Sequence, residues 1–154
     1  MTASAEGVVT ERRKWPAVTM AALAIAGMAT SAYLTFVKLS GGQPYCGPIV
    51  GCETVNSSPY SSAFGIPVAL FGLAASAVIL GAVVWWWRTS DRRALATAYV
   101  IGLASLPFLA YLTYLELFVI HAICRWCVGS AVIIISIFVV ALLELRRLSR
   151  TRSL

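Results

Sequence analysis

Charge is what this 154-residue chain has least of: only 12% of its residues are charged, about half the share of an ordinary soluble domain. That scarcity argues against a water-facing globule. No internal repeat or low-complexity segment divides the chain, which is expected to form one domain. No basic run is interleaved with aromatic residues, so the net charge of +6 is not the footprint of a nucleic-acid binder. Cysteine is sparse at four residues and histidine is present once. No histidine follows Cys127, which argues against covalent haem attachment.

Apolar residues take the place of charge, at 60% of the chain. Residues 16–39, 67–87, 94–118 and 123–145 each reach the roughly 20 apolar residues that a membrane-spanning helix needs. The expected fold is therefore an all-α membrane protein, a bundle of four transmembrane helices with an exoplasmic loop and a short half-helix between the first and second. Arg12, Arg13 and Lys14 precede the first span. Arg88, Arg92 and Arg93 lie between the second and third, and Arg146, Arg147, Arg150 and Arg152 follow the fourth. These are ten of the twelve basic residues, and with an even number of spans they fall on one side, leaving Lys38 and Arg125 on the other. The positive-inside rule makes that side the cytoplasm, so both termini are expected to be cytoplasmic. Residues 1–14 are expected to be a polar tail, 15–146 the membrane domain and 147–154 a basic tail. A basic region before an apolar one also opens a signal peptide, but the first apolar run outlasts the roughly 7–15 residues of such a core. It is expected to remain as a helix. Trp85, Trp86 and Trp87 beside Arg88 read as an interfacial aromatic belt, and Gly72 and Ser76 as sites of close helix approach.

All four cysteines then fall at the exoplasmic face, where disulfides persist. They form two close pairs, Cys46 with Cys52 and Cys124 with Cys127, each beside the end of a span. Two such pairs can pass two electrons from one to the other by thiolate attack through a mixed disulfide. The first pair lies in residues 40–65, a long loop in which Pro44, Gly47, Pro48 and Gly51 break regular structure. Residues 53–58 are expected to form a short helix. The second pair opens the fourth span, where i, i+3 spacing puts both sulfurs on one helix face, and the helix N-terminus favours thiolate, with position 127 the expected holder. An all-cysteine zinc site fits less well, because five residues separate Cys46 from Cys52 where a zinc knuckle leaves roughly two to four.

The combination of Cys46-x5-Cys52, Ser58, Phe64-Gly65-Ile66-Pro67 and Cys124-Arg125-Trp126-Cys127 resembles the bacterial homologues of vitamin K epoxide reductase over nearly all of residues 16–145. DsbB-type quinone reductases share four helices and two cysteine pairs but carry their C-x-x-C in the first external loop; here it opens the fourth helix. The resemblance implies a thiol:quinone oxidoreductase of the bacterial inner membrane that supports disulfide formation in exported proteins. Cys46 and Cys52 would be the shuttle pair, with Cys46 forming the mixed disulfide with a reduced thioredoxin-fold, DsbA-like partner. Cys52 would exchange with Cys124, and Cys127 would reduce a menaquinone or ubiquinone whose oxygen faces the Ser58 hydroxyl. Ser58 is alternatively a helix cap. No thioredoxin-like domain follows the fourth span, so the partner is expected on another polypeptide. The competing expectations are vitamin K epoxide reduction itself and a non-enzymatic membrane protein with two structural disulfides.

Three further polar positions stand near the site. His121 could relay protons or simply sit at the headgroups. Glu116, an ionisable group at membrane depth, is a functional candidate by default, with Lys38 or Arg125 as possible ion-pair partners. Tyr111 and Tyr114 could line a ring pocket or serve packing alone.

Overall fold

A computed structural model describes residues 3–48 and 51–150, with side chains from Lys14 onward. Arg152 and the side chains of Arg12 and Arg13, which entered the charge count, lie outside the described residues. The chain folds into α1 (Ala3–Leu39), α2 (Gly51–Ser57), α3 (Val68–Thr89), α4 (Arg92–Tyr114) and α5 (Arg125–Arg150), with a π-helical turn, Leu115–Ile120, continuing α4. Four helical stretches, Lys14–Leu39, Val68–Thr89, Arg92–Ile120 and Arg125–Arg150, are long and apolar enough to cross a membrane. The all-α membrane bundle is thus as expected, and the short helix expected over residues 53–58 lies at Gly51–Ser57 and takes in Cys52. Helix α1 begins well before its apolar part, and α5 runs on into the basic segment after residue 146.

Helices α3 and α4, and α4 and α5, run antiparallel because only a few residues connect them. Ser90, left-handed at φ 58° with its N–H bonded to the Trp86 carbonyl, closes α3. The next residue, Asp91, opens α4 by accepting the Arg93 N–H at 2.8 Å. Helices α1 and α3 come close through small residues: a Cβ on Gly27 would stand 2.9 Å from the Ser76 hydroxyl oxygen, and one on Gly72 at 2.9 Å from that of Ser31. In lipid, where apolar contact alone gives no preference for another helix, such close approach is what associates helices.

The larger buried core lies in one half of the bundle. Ala17, Met20 and Ala24 of α1 meet Ile79, Val83 and Trp86 of α3, Leu95 and Ala98 of α4, and Ile137 and Ala141 of α5. Trp86 is therefore a core residue at 1% exposure rather than a member of an interfacial belt, while Trp85 and Trp87 are exposed. Successive residues on a helix turn by about 100°, so a run of three aromatics cannot share one surface. The cysteines occupy the opposite end.

At that end the connection from α1 to α3 folds over the bundle as α2, a single turn at Pro59–Ser61 and a two-residue hairpin pairing Ser62 with Pro67 and Ala63 with Ile66. Phe64 and Gly65 form its tip, both with positive φ, 54° and 80°, the pattern of a type I′ turn.

Candidate functional site

The four cysteines meet under α2. Cys46 and Cys52 are joined by a disulfide, Cys124 and Cys127 are free thiols, and Cys46, Cys52 and Cys124 form one buried cluster against which Val55, Trp126 and Cys127 pack. Cys52 has no exposed surface and Cys124 only 3%. Cys52 and Cys124, 72 positions apart in the chain, are thereby packed into one cluster.

Three local devices bring the pairs together. At the first residue of α2, a Cβ on Gly51 would collide with the backbone of Ile123, its carbonyl oxygen nearest and its nitrogen at 2.9 Å, so only glycine lets α2 press onto the segment leading to Cys124. An aromatic clamp holds the irregular segment carrying Cys46: the Trp126 Nε1–H donates to the Tyr45 carbonyl at 3.1 Å, and the Tyr45 N–H donates to the Tyr33 hydroxyl at 3.1 Å. The Tyr33 and Trp126 rings lie 5.3 Å apart. Lys38 anchors the far end of α2, its ammonium donating to the Asn56 carbonyl and, at 2.7 Å, to the Ser61 hydroxyl, a favourable place for a cation at a helix C-terminus.

Cys124 stands immediately before α5. The side chain of Cys127 donates to its sulfur, and the otherwise free N–H groups of Cys127 and Trp126 point at it, which lowers the Cys124 thiol to about 7 although burial and the Glu116 carboxylate oppose the charge. The helix terminus therefore serves position 124, whereas the spacing had suggested position 127. The reason is geometric: the N-cap receives the first N–H groups of a helix, and Cys127 is already inside it.

Glu116 is buried at 6% exposure. Its carboxylate accepts the Cys124 N–H at 3.3 Å and faces the Cys127 thiol. The expected ion pairs are not formed: Lys38 is committed to α2, Arg125 lies over Gly47, and among the described residues no cationic side chain pairs with Glu116. His121 is exposed, in the left-handed region at φ 55°, where it ends the π-turn.

Ser58 sits at the N-cap position of the turn that follows α2 but does not cap it. Its hydroxyl donates back to the Val55 carbonyl at 2.7 Å, so an acceptor facing Ser58 meets oxygen lone pairs unless that bond is exchanged. Tyr114 lines an apolar groove between α4 and α5, about 430 Å³, together with Leu109, Thr113, Phe118, Ala131 and Ile135; Tyr111, Ser58 and Cys127 do not line it. The buried hydroxyl of Thr35, in the cysteine half of α1, has no hydrogen-bond partner among the described residues. Sequence reasoning named Gly51 only as a breaker and missed its approach to Ile123, the Tyr33–Tyr45–Trp126 clamp and Thr35, since each is a matter of contacts between segments remote in the chain. No group of three or more His, Cys, Asp or Glu among the described residues is arranged to hold a metal ion.

Residues 18–142 match the model of the vitamin K epoxide reductase family. The match covers most of the chain, and the chain belongs to that family. Its members are oxidoreductases that work with quinones. The residues present suit a flat apolar acceptor: helices α4 and α5 enclose an apolar groove, and the cysteine half of α1 holds a buried hydroxyl, that of Thr35, able to donate to a carbonyl oxygen.

Proposed function

With membership of the vitamin K epoxide reductase family as the premise, we propose that this membrane oxidoreductase draws two electrons from the dithiol of a separate thioredoxin-fold protein and passes them to a membrane quinone. The observation that carries this reading is the single buried cluster holding one pair as a disulfide and the other as thiols. Such a cluster is the product side of an internal exchange. A partner thiolate opens the Cys46–Cys52 disulfide at Cys46, and the mixed disulfide resolves to oxidised partner and a reduced loop pair. Cys52 then attacks Cys124 of an oxidised second pair, freeing Cys127, and Cys46 closes back onto Cys52 to free Cys124. The loop pair returns to the disulfide, and two electrons rest on Cys124 and Cys127.

The quinone, menaquinone or ubiquinone, supplies a diffusible acceptor for two electrons and two protons. The chain's own part is to hold the thiols at the exoplasmic end of the bundle, to keep Cys52 packed against Cys124, and to offer Ser58 and Thr35 as polar positions at that end. The three basic clusters favour insertion in a bacterial inner membrane with both termini cytoplasmic and the cysteines outside, where exported proteins acquire disulfides.

The test is quinone reduction by the purified protein with a reduced thioredoxin-fold donor. Cys127→Ser is expected to abolish turnover with every donor. Cys46→Ser is expected to fail with the protein donor yet keep part of the activity with a small dithiol. Equal behaviour of all three proteins, correctly folded, would return the cysteines to a structural role.

A further inference from the structure

We propose that Glu116 is the proton acceptor for the Cys124–Cys127 pair. The inference rests on the thiol:quinone reading above and adds to it the route of the proton. A buried carboxylate without a cation is costly. Glu116 is 6% exposed, lies inside the span Arg92–Ile120, and has no cationic partner among the described residues. What it does meet is the reactive pair: Oε2 accepts the Cys124 N–H at 3.3 Å, and the carboxylate faces the Cys127 thiol. The backbone is shaped to put it there. A π-helical turn begins at Leu115, one residue before Glu116. The turn's last bonds, from the His121 and Ala122 N–H groups, both return to the Glu116 carbonyl. Such turns are uncommon and cluster at functional sites.

The chemistry of the pair requires a base at this position. Helix-terminal donors and the Cys127 side chain all act on the Cys124 sulfur, so the proton still to be removed is the one on Cys127. Glu116 is the acceptor beside it. The Cys127 S–H bond breaks, its electron pair stays on sulfur, and the proton passes to a Glu116 oxygen. Closure of the Cys124–Cys127 disulfide then releases two electrons to the quinone-class acceptor. The Glu116 proton follows them, and the second proton, given up when the Cys124 thiolate formed, is taken from solvent, so the acceptor gains two electrons and two protons and the carboxylate is restored.

The titratable groups facing Glu116 are the thiols of Cys124, just before α5, and of Cys127 in its first turn. Helix α2, which also packs against the π-turn, presents Cys52, held in the disulfide, and an exposed Glu53.

Because Glu116 also fastens the Cys124 backbone, the test must separate holding from proton transfer. Glu116→Gln retains an oxygen for the Cys124 N–H and cannot take the proton. Glu116→Asp retains the acid at reduced reach, and Glu116→Ala loses both functions. The first readout needs no quinone: full-length protein with the second pair reduced is alkylated with iodoacetamide across mildly acidic to mildly basic pH, and Cys127 modification is timed by mass spectrometry. The second is quinone reduction over the same range. Glu116→Gln is expected to slow Cys127 alkylation about 100-fold near neutrality and to give a rate that climbs with hydroxide, with Glu116→Asp in between and folding intact by circular dichroism. Superimposable Gln and wild-type profiles, with only Ala impaired, would overturn the proposal and leave Glu116 a fastening residue. Loss of alkylation in Gln together with a wild type that reduces no quinone would uphold the proton acceptor and overturn the quinone reading instead.

Discussion

Cys124 is the residue whose ionisation the local structure controls most. With the loop pair oxidised, ultraviolet titration of the reduced second pair is expected to show one thiolate appearing with a midpoint near 7, well below the ~8.5 of an ordinary thiol. The sign follows from the donors: they hold the charged form, so the thiolate is present above that pH and lost as pH falls through it. Cys127→Ala removes the leading donor and is expected to move the midpoint upward, while Cys124→Ser removes the step. A step near the ordinary value in the wild type would contradict the donor arrangement. At this scale C-x-x-C told that two sulfurs share a helix end, but which sulfur receives the N–H groups depended on α5 starting at Arg125, one residue after Cys124. Helix boundaries are the least legible feature of a sequence.

Among the elements, α2 decides whether the pairs communicate, and it is seated by Gly51. Adding one methyl group against the Ile123 backbone costs about 1–3 kcal/mol of overpacking unless α2 moves away, and movement separates Cys52 from Cys124. Gly51→Ala is therefore expected to slow electron transfer from loop pair to helix pair about tenfold or more, equivalent to ~1.4 kcal/mol. Quinone reduction with a dithiol that reaches Cys124 directly is expected to be nearly unaffected. Stopped-flow comparison of the two donors checks this. Equal slowing with both would place the effect in the bundle. Trp126→Phe, which loses the hydrogen bond to Tyr45 but keeps a ring against Tyr33, is expected to cost about 0.5–1.5 kcal/mol of loop stability and to raise hydrogen exchange around Cys46. The sequence showed Gly51 only as one more breaker in a loop rich in them, because close approach between residues 51 and 123 leaves no local pattern.

For the whole molecule, charge and packing divide the bundle into two ends. The half opposite the cysteines holds the larger buried core and the α3–α4 turn between Arg88 and Arg92, whereas the cysteine half holds a smaller buried cluster covered by the loop. A membrane-impermeant maleimide is expected to label an added cysteine near residue 43 from outside intact cells and one near residue 90 only after lysis. The reverse pattern would invert the proposed orientation. Replacing Gly27 and Gly72 together by Leu is expected to separate α1 from α3 and lower thermal stability by several kcal/mol, measurable by detergent melting. Sequence alone determined the class, the four spans, the charge asymmetry and the pairing of cysteines along the chain, because these depend on hydrophobic length and local spacing, which the bilayer enforces. Only the tertiary structure decided that Cys52 lies beside Cys124, that Trp86 is core, that Lys38 holds α2 and that Glu116 faces the thiols without a cation. Those depend on which helix faces meet, and the apolar surfaces of four similar helices do not specify that by periodicity.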